Sequence, residues 1–188
     1  LATKLRCASS ILVVAAISSA GPAWGFPPYR TTDADVADPG VAEVRLGLGL
    51  GKIEREHSEN EYFSPLVRAN LGLGHNLEIV SELEYSNDED RVSDAAVGLK
   101  WARLKSPLGI GVETLALLPV NASQDGLGVE AQLLATLRRG PFSVHVNAGG
   151  FYDGRPAPSE RGGRASLLSE VRWGRLRPGL ELFAKKVS

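Results

Sequence analysis

The chain has almost no sulfur. Its 188 residues include one cysteine, Cys7, and no methionine. A disulfide framework or a zinc–thiolate site needs more thiols than this, so both are excluded. An excess of charge of either sign is lacking too: the net charge is −1, so nothing pushes the chain toward nucleic acid. Aromatics are few, with 3 Trp, 4 Tyr and 5 Phe, so their placement along the chain carries information. No apolar run reaches the ~20 residues of a spanning helix. A mature chain that crosses a membrane must therefore cross with paired strands, because every backbone polar group in lipid needs an internal partner. With 188 residues there is room for one domain and not comfortably for two. The first residue is Leu1, which leaves a misassigned start, a non-standard start codon or a fragment as readings.

The leading residues read as an address. Lys4 and Arg6 form a short basic region, 11–17 is apolar, and 18–20 are small. Gly21 and Pro22 break a helix, and Ala23-Trp24-Gly25 has the small-x-small pattern of a cleavage site. Residues 1–25 are expected to be a secretory signal peptide cut after Gly25. The apolar run is too short for an anchor, and Cys7 lies too early to be a lipoprotein cysteine. Its removal would leave the mature chain without a thiol, and so without a cysteine nucleophile.

What the sequence has in abundance is period two. Over 41–52, Ala42, Val44, Leu46, Leu48 and Leu50 share one face, while Glu43, Arg45, Gly47, Gly49 and Gly51 share the other. This is strand periodicity with one apolar and one polar or small face. It recurs over 63–73, 77–85, 95–103, 108–118, 127–137 and 142–152, and more weakly over 165–173 and 176–185. Each segment is about the 9–11 residues of a tilted membrane strand. Glycines on the polar face, such as Gly47, Gly49, Gly51, Gly109 and Gly111, make room for long side chains.

Alternation alone fits a soluble barrel as well; three features favour a membrane. The connectors alternate, long at 54–62, 86–94, 119–126 and 153–164 and short at 74–76, 104–107, 138–141 and 174–175. On the apolar parity, Trp101, Phe142 and Trp173 gather at the short-turn rim and Phe63, Tyr85 and Tyr152 at the other, as two interfacial girdles. Phe151 and Phe183 point the other way. Charges on the apolar parity, such as Lys52 and Arg103, stay at strand ends, where the ~2–4 kcal/mol penalty of a mid-bilayer cation is avoided. The opposite parity carries the candidates for a selective lumen: Glu43, Arg45, Arg68, Asn70, Glu78, Glu82, Lys100, Glu113, Glu130, Gln132, His145, Asn147, Glu170 and Arg172. Nine strands is an odd count for a bacterial barrel, so either a truncated C-terminus or one missed weak segment is expected.

Few motifs suggest chemistry. Asp33, Asp35 and Asp38 lack EF-hand spacing and a closing glutamate; they read as a solvated segment capping the periplasmic mouth. At 47–52 a phosphate loop fails, since Leu46 stands where glycine is needed and no Ser or Thr follows Lys52. Asn121-Ala122-Ser123 is a sequon by pattern only. His57 and His75 have no metal-ligand spacing, and Asp88-Glu89-Asp90 reads as a solvated loop tip that binds cations weakly at most. Ser143 and His145, with Glu130 on the next strand, are the parts of a hydrolase trio; a hydrogen-bonded lumen network is the preferred reading. No cofactor or metal site is expected.

The segment 29–40 contains Thr32, Asp33, Ala34, Pro39 and Gly40 ahead of a glutamate-bearing strand. Residues 71–79 pair a tight turn with leucine and glutamate, and 95–101 run through glycine, an apolar residue, lysine and an aromatic. Over most of 29–150 the chain resembles the MetA-pathway of phenol degradation family of outer-membrane proteins. The resemblance implies an outer-membrane barrel loosely linked to passage of aromatic or other small hydrophobic compounds, with no catalytic residues to carry over. Taken together, the expectation is an all-β, antiparallel, up-and-down transmembrane β-barrel, with a signal peptide at 1–25, a periplasmic segment at 26–40 and the barrel at 41–188. It would act as a passive channel or uptake protein for small solutes, facing outer-membrane lipid and lipopolysaccharide. A non-conducting adhesive barrel, a soluble lipocalin-like periplasmic barrel and, last, a barrel lipase or deacylase are the alternatives.

Overall fold

A computed structural model describes residues 31–55, 58–86, 91–120, 124–156, 158–174 and 177–187. The expected signal peptide, His57, the acidic tip 88–90, the sequon 121–123 and the side chain of Phe63 lie outside the described residues. The described chain is all β: β1 (Ala42–Arg55), β2 (Ser58–Gly74), β3 (Leu77–Ser86), β4 (Arg91–Lys105), β5 (Leu108–Leu118), β6 (Gly128–Arg139), β7 (Phe142–Asp153), β8 (Glu160–Val171) and β9 (Gly179–Val187). The strands lie side by side in chain order in one antiparallel sheet, with β1 and β9 at its edges. No hydrogen bonding between β1 and β9 closes it among the described residues.

Period two becomes a two-faced sheet of inverted polarity. On β5 exposed and buried residues alternate along the whole strand. The exposed positions are apolar: Leu108, Ile110 and Val112 on β5, and Val129, Leu133 and Leu137 on β6. The buried ones include Glu78, Lys100, Glu113, Glu130, Gln132 and His145. Leu133 is 68% exposed while Lys100 is 0% exposed, the reverse of a water-soluble fold. The buried face curls: Arg68 on β2 bonds Glu113 on β5, a separation of roughly 14 Å in a flat sheet.

The hairpins correct the expected connectors. The stretch 54–62 is not a long loop, because β1 and β2 stay in register out to Arg55↔Ser58. Its polar residues on both parities resemble a loop, but backbone pairing does not require an apolar face. On the same side, the β7–β8 loop shortens to 154–159, while 119–127 remains long. The β8–β9 connection, expected to be tight, runs over 172–178. The β2–β3 turn is as tight as expected, with His75 at φ 55° and Asn76 at φ 63°, the left-handed pair that matches a two-residue hairpin to strand twist.

Some glycines on the polar parity are required by close approach. A Cβ on Gly98 would stand 1.9 Å from the Thr114 carbonyl oxygen on β5, backbone that cannot yield without a shift of the strand. Gly98→Ala is expected to cost about 1–3 kcal/mol. A lower urea midpoint for the detergent-folded variant measures it, and Gly163→Ala, where an added Cβ would stand 3.6 Å from its nearest neighbour, serves as the control.

Candidate functional site

Residues 31–40 precede β1 and cross the curled polar face at its short-turn end as an irregular strap. Thr31, Thr32, Asp33, Ala34 and Ala37 are buried. Three of the strap's amides, at Thr31, Ala34 and Ala37, are satisfied by side chains of the sheet rather than by backbone pairing. Thr31 N and Oγ1 donate to Glu181 Oε1 on β9 at 2.6 and 2.5 Å. Ala34 N donates to Thr136 Oγ1 on β6 at 2.8 Å, and Ala37 N to Glu78 Oε2 on β3 at 2.8 Å. At its end, Gly40 N reaches Gly72 O on β2. From Thr31 to Ala37 the chain reaches at most ~21 Å, while six strand steps from β9 to β3 cover roughly 29 Å along a sheet. The chord is shorter than its arc, consistent with a sheet that curls around the strap.

The reading of this segment as solvated is therefore corrected. Asp33 Oδ1 lies 3.3 Å from Lys100 Nζ, and Arg138 Nη2 donates to Asp33 Oδ2 at 3.0 Å. Arg138 Nη1 donates to Asp35 Oδ2 at 3.0 Å, and Lys100 also meets Glu78 at 3.0 Å. The acids of the strap meet cations that the inward parity of β4 and the end of β6 supply. Pro39 and Gly40 form the turn that leads into β1, with Gly40 at φ 78°.

Two steps nearer the long-loop end, a second polar level crosses the same face. Arg68 on β2 bonds both Glu82 on β3 and Glu113 on β5. Gln132 Nε2 on β6 donates to Glu113 Oε1 at 2.8 Å, and its Oε1 accepts from Arg164 on β8 at 3.1 Å. Arg164 pairs with Glu130 at 2.5 Å. Beyond this level is a cavity of about 70 Å³ bordered by Glu82, Glu84, Asp94 and Glu130 over Ala96, Leu115 and Leu117. Arg155, in the β7–β8 loop, donates to Asp153, to Asp94 on β4 and to Leu118 O on β5, which ties that loop across strand ends at the long-loop rim.

Most of the predicted inward set is brought together here. Arg68, Asn70, Glu78, Lys100, Glu113, Glu130, Gln132, His145, Asn147 and Glu170 are buried, with Glu43, Arg45 and Glu82 half-buried beside them. Arg172 is not among them, because β8 ends at Val171 and Arg172 is exposed at the short-turn rim. Trp101, Phe142 and Trp173 are exposed toward that rim and Tyr152 toward the other, with Tyr85 half-buried beside a bulge. The suggested trio does not assemble. His145 is opposite Thr136, whereas Glu130 is opposite Phe151, about 20 Å along the strand. His145 Nδ1 instead shares a hydrogen bond with Thr136 Oγ1 at 2.9 Å, and its Nε2 faces Glu170 at 3.7 Å. Sequence reasoning missed Thr136, Arg138, Arg155 and Glu181. Parity already marked Thr136 and Glu181 as inward, but nothing in the sequence showed that they hold a strap. Among the described residues no group of three or more His, Cys, Asp or Glu stands ready for a metal ion.

No family model, curated protein or solved structure matches the chain.

Electrostatics give the strap a pH signature. Burial pushes the Asp33 carboxyl up, but Lys100, Arg45, Arg138 and His145 outweigh it and hold the group below the ordinary aspartate value of 3.8. A depressed carboxyl contributes stability at every pH above that value, and the contribution is lost as pH falls through the depressed one. Acid titration, followed by protease sensitivity of 31–40, is expected to release the strap only below the range in which free aspartates titrate. In Asp33→Asn the strap is looser at neutral pH and that acid step is gone.

Proposed function

We propose that the chain is an outer-membrane β-barrel that admits small molecules through a polar lumen, with the N-terminal strap lying in that lumen. The observation that carries this reading is the inversion of polarity. An outward face of Leu133, Ile110 and Val129 gains by meeting hydrocarbon, and an inward face of paired charges does not. Aromatic side chains toward both rims add the interfacial pattern of membrane barrels. The basic-apolar-small pattern of 1–25 would carry the chain out of the cytoplasm. The motifs at 29–40, 71–79 and 95–101 that resemble the phenol-degradation family would, on this reading, make aromatic or hydrophobic solutes the cargo, although no family model matches the chain.

The proposal includes closure of the sheet. An edge strand in lipid leaves donors and acceptors with no water to bond. With nine antiparallel strands, the edges β1 and β9 run in the same direction, so direct closure between them is a parallel pairing. A second reading, a non-conducting barrel whose loops do the work, is favoured by the strap and the Arg68 network, which occupy much of the concave face.

Expressed with its leader, the chain is expected in the outer-membrane fraction, extracted only by detergent and shifted in gel mobility by boiling. Leu133→Arg should weaken insertion into lipid vesicles by about 2–4 kcal/mol, with Arg161→Ala as the rim control. Recovery of the wild-type chain as a soluble, detergent-independent β-protein would overturn the membrane reading.

A further inference from the structure

The outward face changes character where β7, β8 and β9 approach the long-loop rim. Strand register aligns its side chains there in rows. Nearest the rim, Tyr152 stands opposite Arg161. Gly150, Gly163 and Lys186 form the next row, and Ala148, Ala165 and Ala184 the one after. All of these residues are exposed. Below them the row is Val146, Leu167 and Leu182, and Leu133 borders Ala148 on the β6 side. A shallow dip of glycine and alanine therefore lies between cations above and branched side chains below.

Strand packing does not require the dip. At Gly149 and Gly162 a Cβ would strike backbone oxygens at 2.1 and 1.8 Å, so the sheet itself demands glycine. A Cβ on Gly163 would meet nothing nearer than Gly149 O at 3.6 Å. The sheet can accept a side chain at 163, and the space outside it stands open to a ligand.

Charge points to the occupant. Because Gly163 pairs with Lys186, Arg161 and Lys186 are diagonal neighbours on adjoining strands, about 7–8 Å apart. Neither has an ion-pair partner among the described residues, and no acid stands in these rows. Two like charges so placed repel unless an anion comes between them. Tyr152 brings a hydroxyl to the same rim, at the depth where aromatic belts meet headgroups. A phosphate monoester carries a charge of about −1.5 to −2 and three acceptor oxygens, which suits a guanidinium fork beside an ammonium. A phosphodiester brings a single charge. Acyl chains below such a phosphate would cross the dip, where small residues let them approach the backbone closely. A second copy is a poor occupant, because a two-fold axis through the dip would set Arg161 and Lys186 against their own counterparts.

We propose that Tyr152, Arg161 and Lys186 bind a phosphate of the lipid A moiety of lipopolysaccharide, whose acyl chains lie in the dip formed by Gly150, Gly163, Ala148 and Ala165. This rests on the outer-membrane reading above, in which the long-loop rim faces the outer leaflet.

Native mass spectrometry of the full chain, folded in detergent and titrated with bisphosphorylated lipid A, reads the site. One lipid A is expected to stay bound. Joint Arg161→Ala and Lys186→Ala substitution should weaken binding about ten- to a hundredfold, as should dephosphorylation of the lipid A. Ala165→Leu keeps both cations but fills the dip, and should weaken binding about threefold or more. Phosphatidylcholine vesicles carry no such headgroup, so Arg161→Ala leaves insertion into them unchanged. Arg161→Gln and Lys186→Gln taken singly give the same readout should the double variant lose its heat shift. Equal affinity of wild type and the cation variants, or equal binding of the phosphorylated and dephosphorylated lipids, would overturn the site. A dimer mass abolished by Ala165→Leu would assign the dip to a second copy and overturn it too. The heat shift keeps the two readings apart. A shifted wild-type band without lipid A selectivity leaves the barrel standing and removes the site. A wild-type chain that stays in water without detergent removes both.

Discussion

The rest of the structure depends on the mutual neutralisation of charges on the concave face. A sheet that turns its leucines and valines outward must turn something inward, and here that is a set of carboxylates, a lysine, arginines, amides and a histidine. Each such group, desolvated alone, costs several kcal/mol. They are tolerated because partners arrive from other strands: Arg68 from β2 for Glu113 of β5, and Arg164 from β8 for Glu130 of β6. These contacts run across the sheet rather than along it, so they need curvature and in turn favour it. Removing one partner is therefore costlier than the pair is worth, since the group left behind remains buried.

The strap extends the same logic to a segment that is not in the sheet. It has few large apolar side chains, and a short stretch around Ala34, Val36, Ala102 and Leu134 is its main apolar contact. Most of its attachment is polar: Thr31 to Glu181, Asp33 to Lys100 and Arg138, Ala37 to Glu78. Close fit adds to it, because a Cβ on Gly72 would stand 2.2 Å from Asp38 O. The inner face of β2 is therefore shaped around the strap as well as charged to receive it.

Parity was the legible part of this chain. Alternation places Leu133 outside and Gln132 inside, and it separates Val129 from Glu130 with no knowledge of the fold. Two kinds of information were not local. Strand ends were one: Lys52, Glu54, Glu59 and Glu61 look like loop residues, yet the Lys52↔Glu61 and Glu54↔Glu59 positions are paired, since a ladder is set by backbone and not by hydrophobicity. The strap was the other. Asp33 has no periodic signal to mark it as buried, and its partners Lys100 and Arg138 stand 67 and 105 residues away. Only the curl of the sheet brings them into reach. Arg172 shows the converse, a residue on the inward parity placed beyond the end of its strand.

The strap also makes one order of assembly easier than another. It precedes β1, yet it binds β2, β3, β4, β6 and β9, and its farthest contact joins Thr31 to Glu181 across 150 residues. Loop closure over that distance carries a large entropic cost that earlier pairings must first offset. A strap threaded into a finished cylinder would have to pass through a face already neutralised without it, and Lys100 and Arg138 would stand unpartnered by Asp33 in the meantime. Wrapping avoids this. Each hairpin added in turn would meet a segment already present, and β9 would complete the assembly by capturing Thr31. In that sense residues 31–40 would act as a mandrel, a segment around which the curl of the sheet is wound.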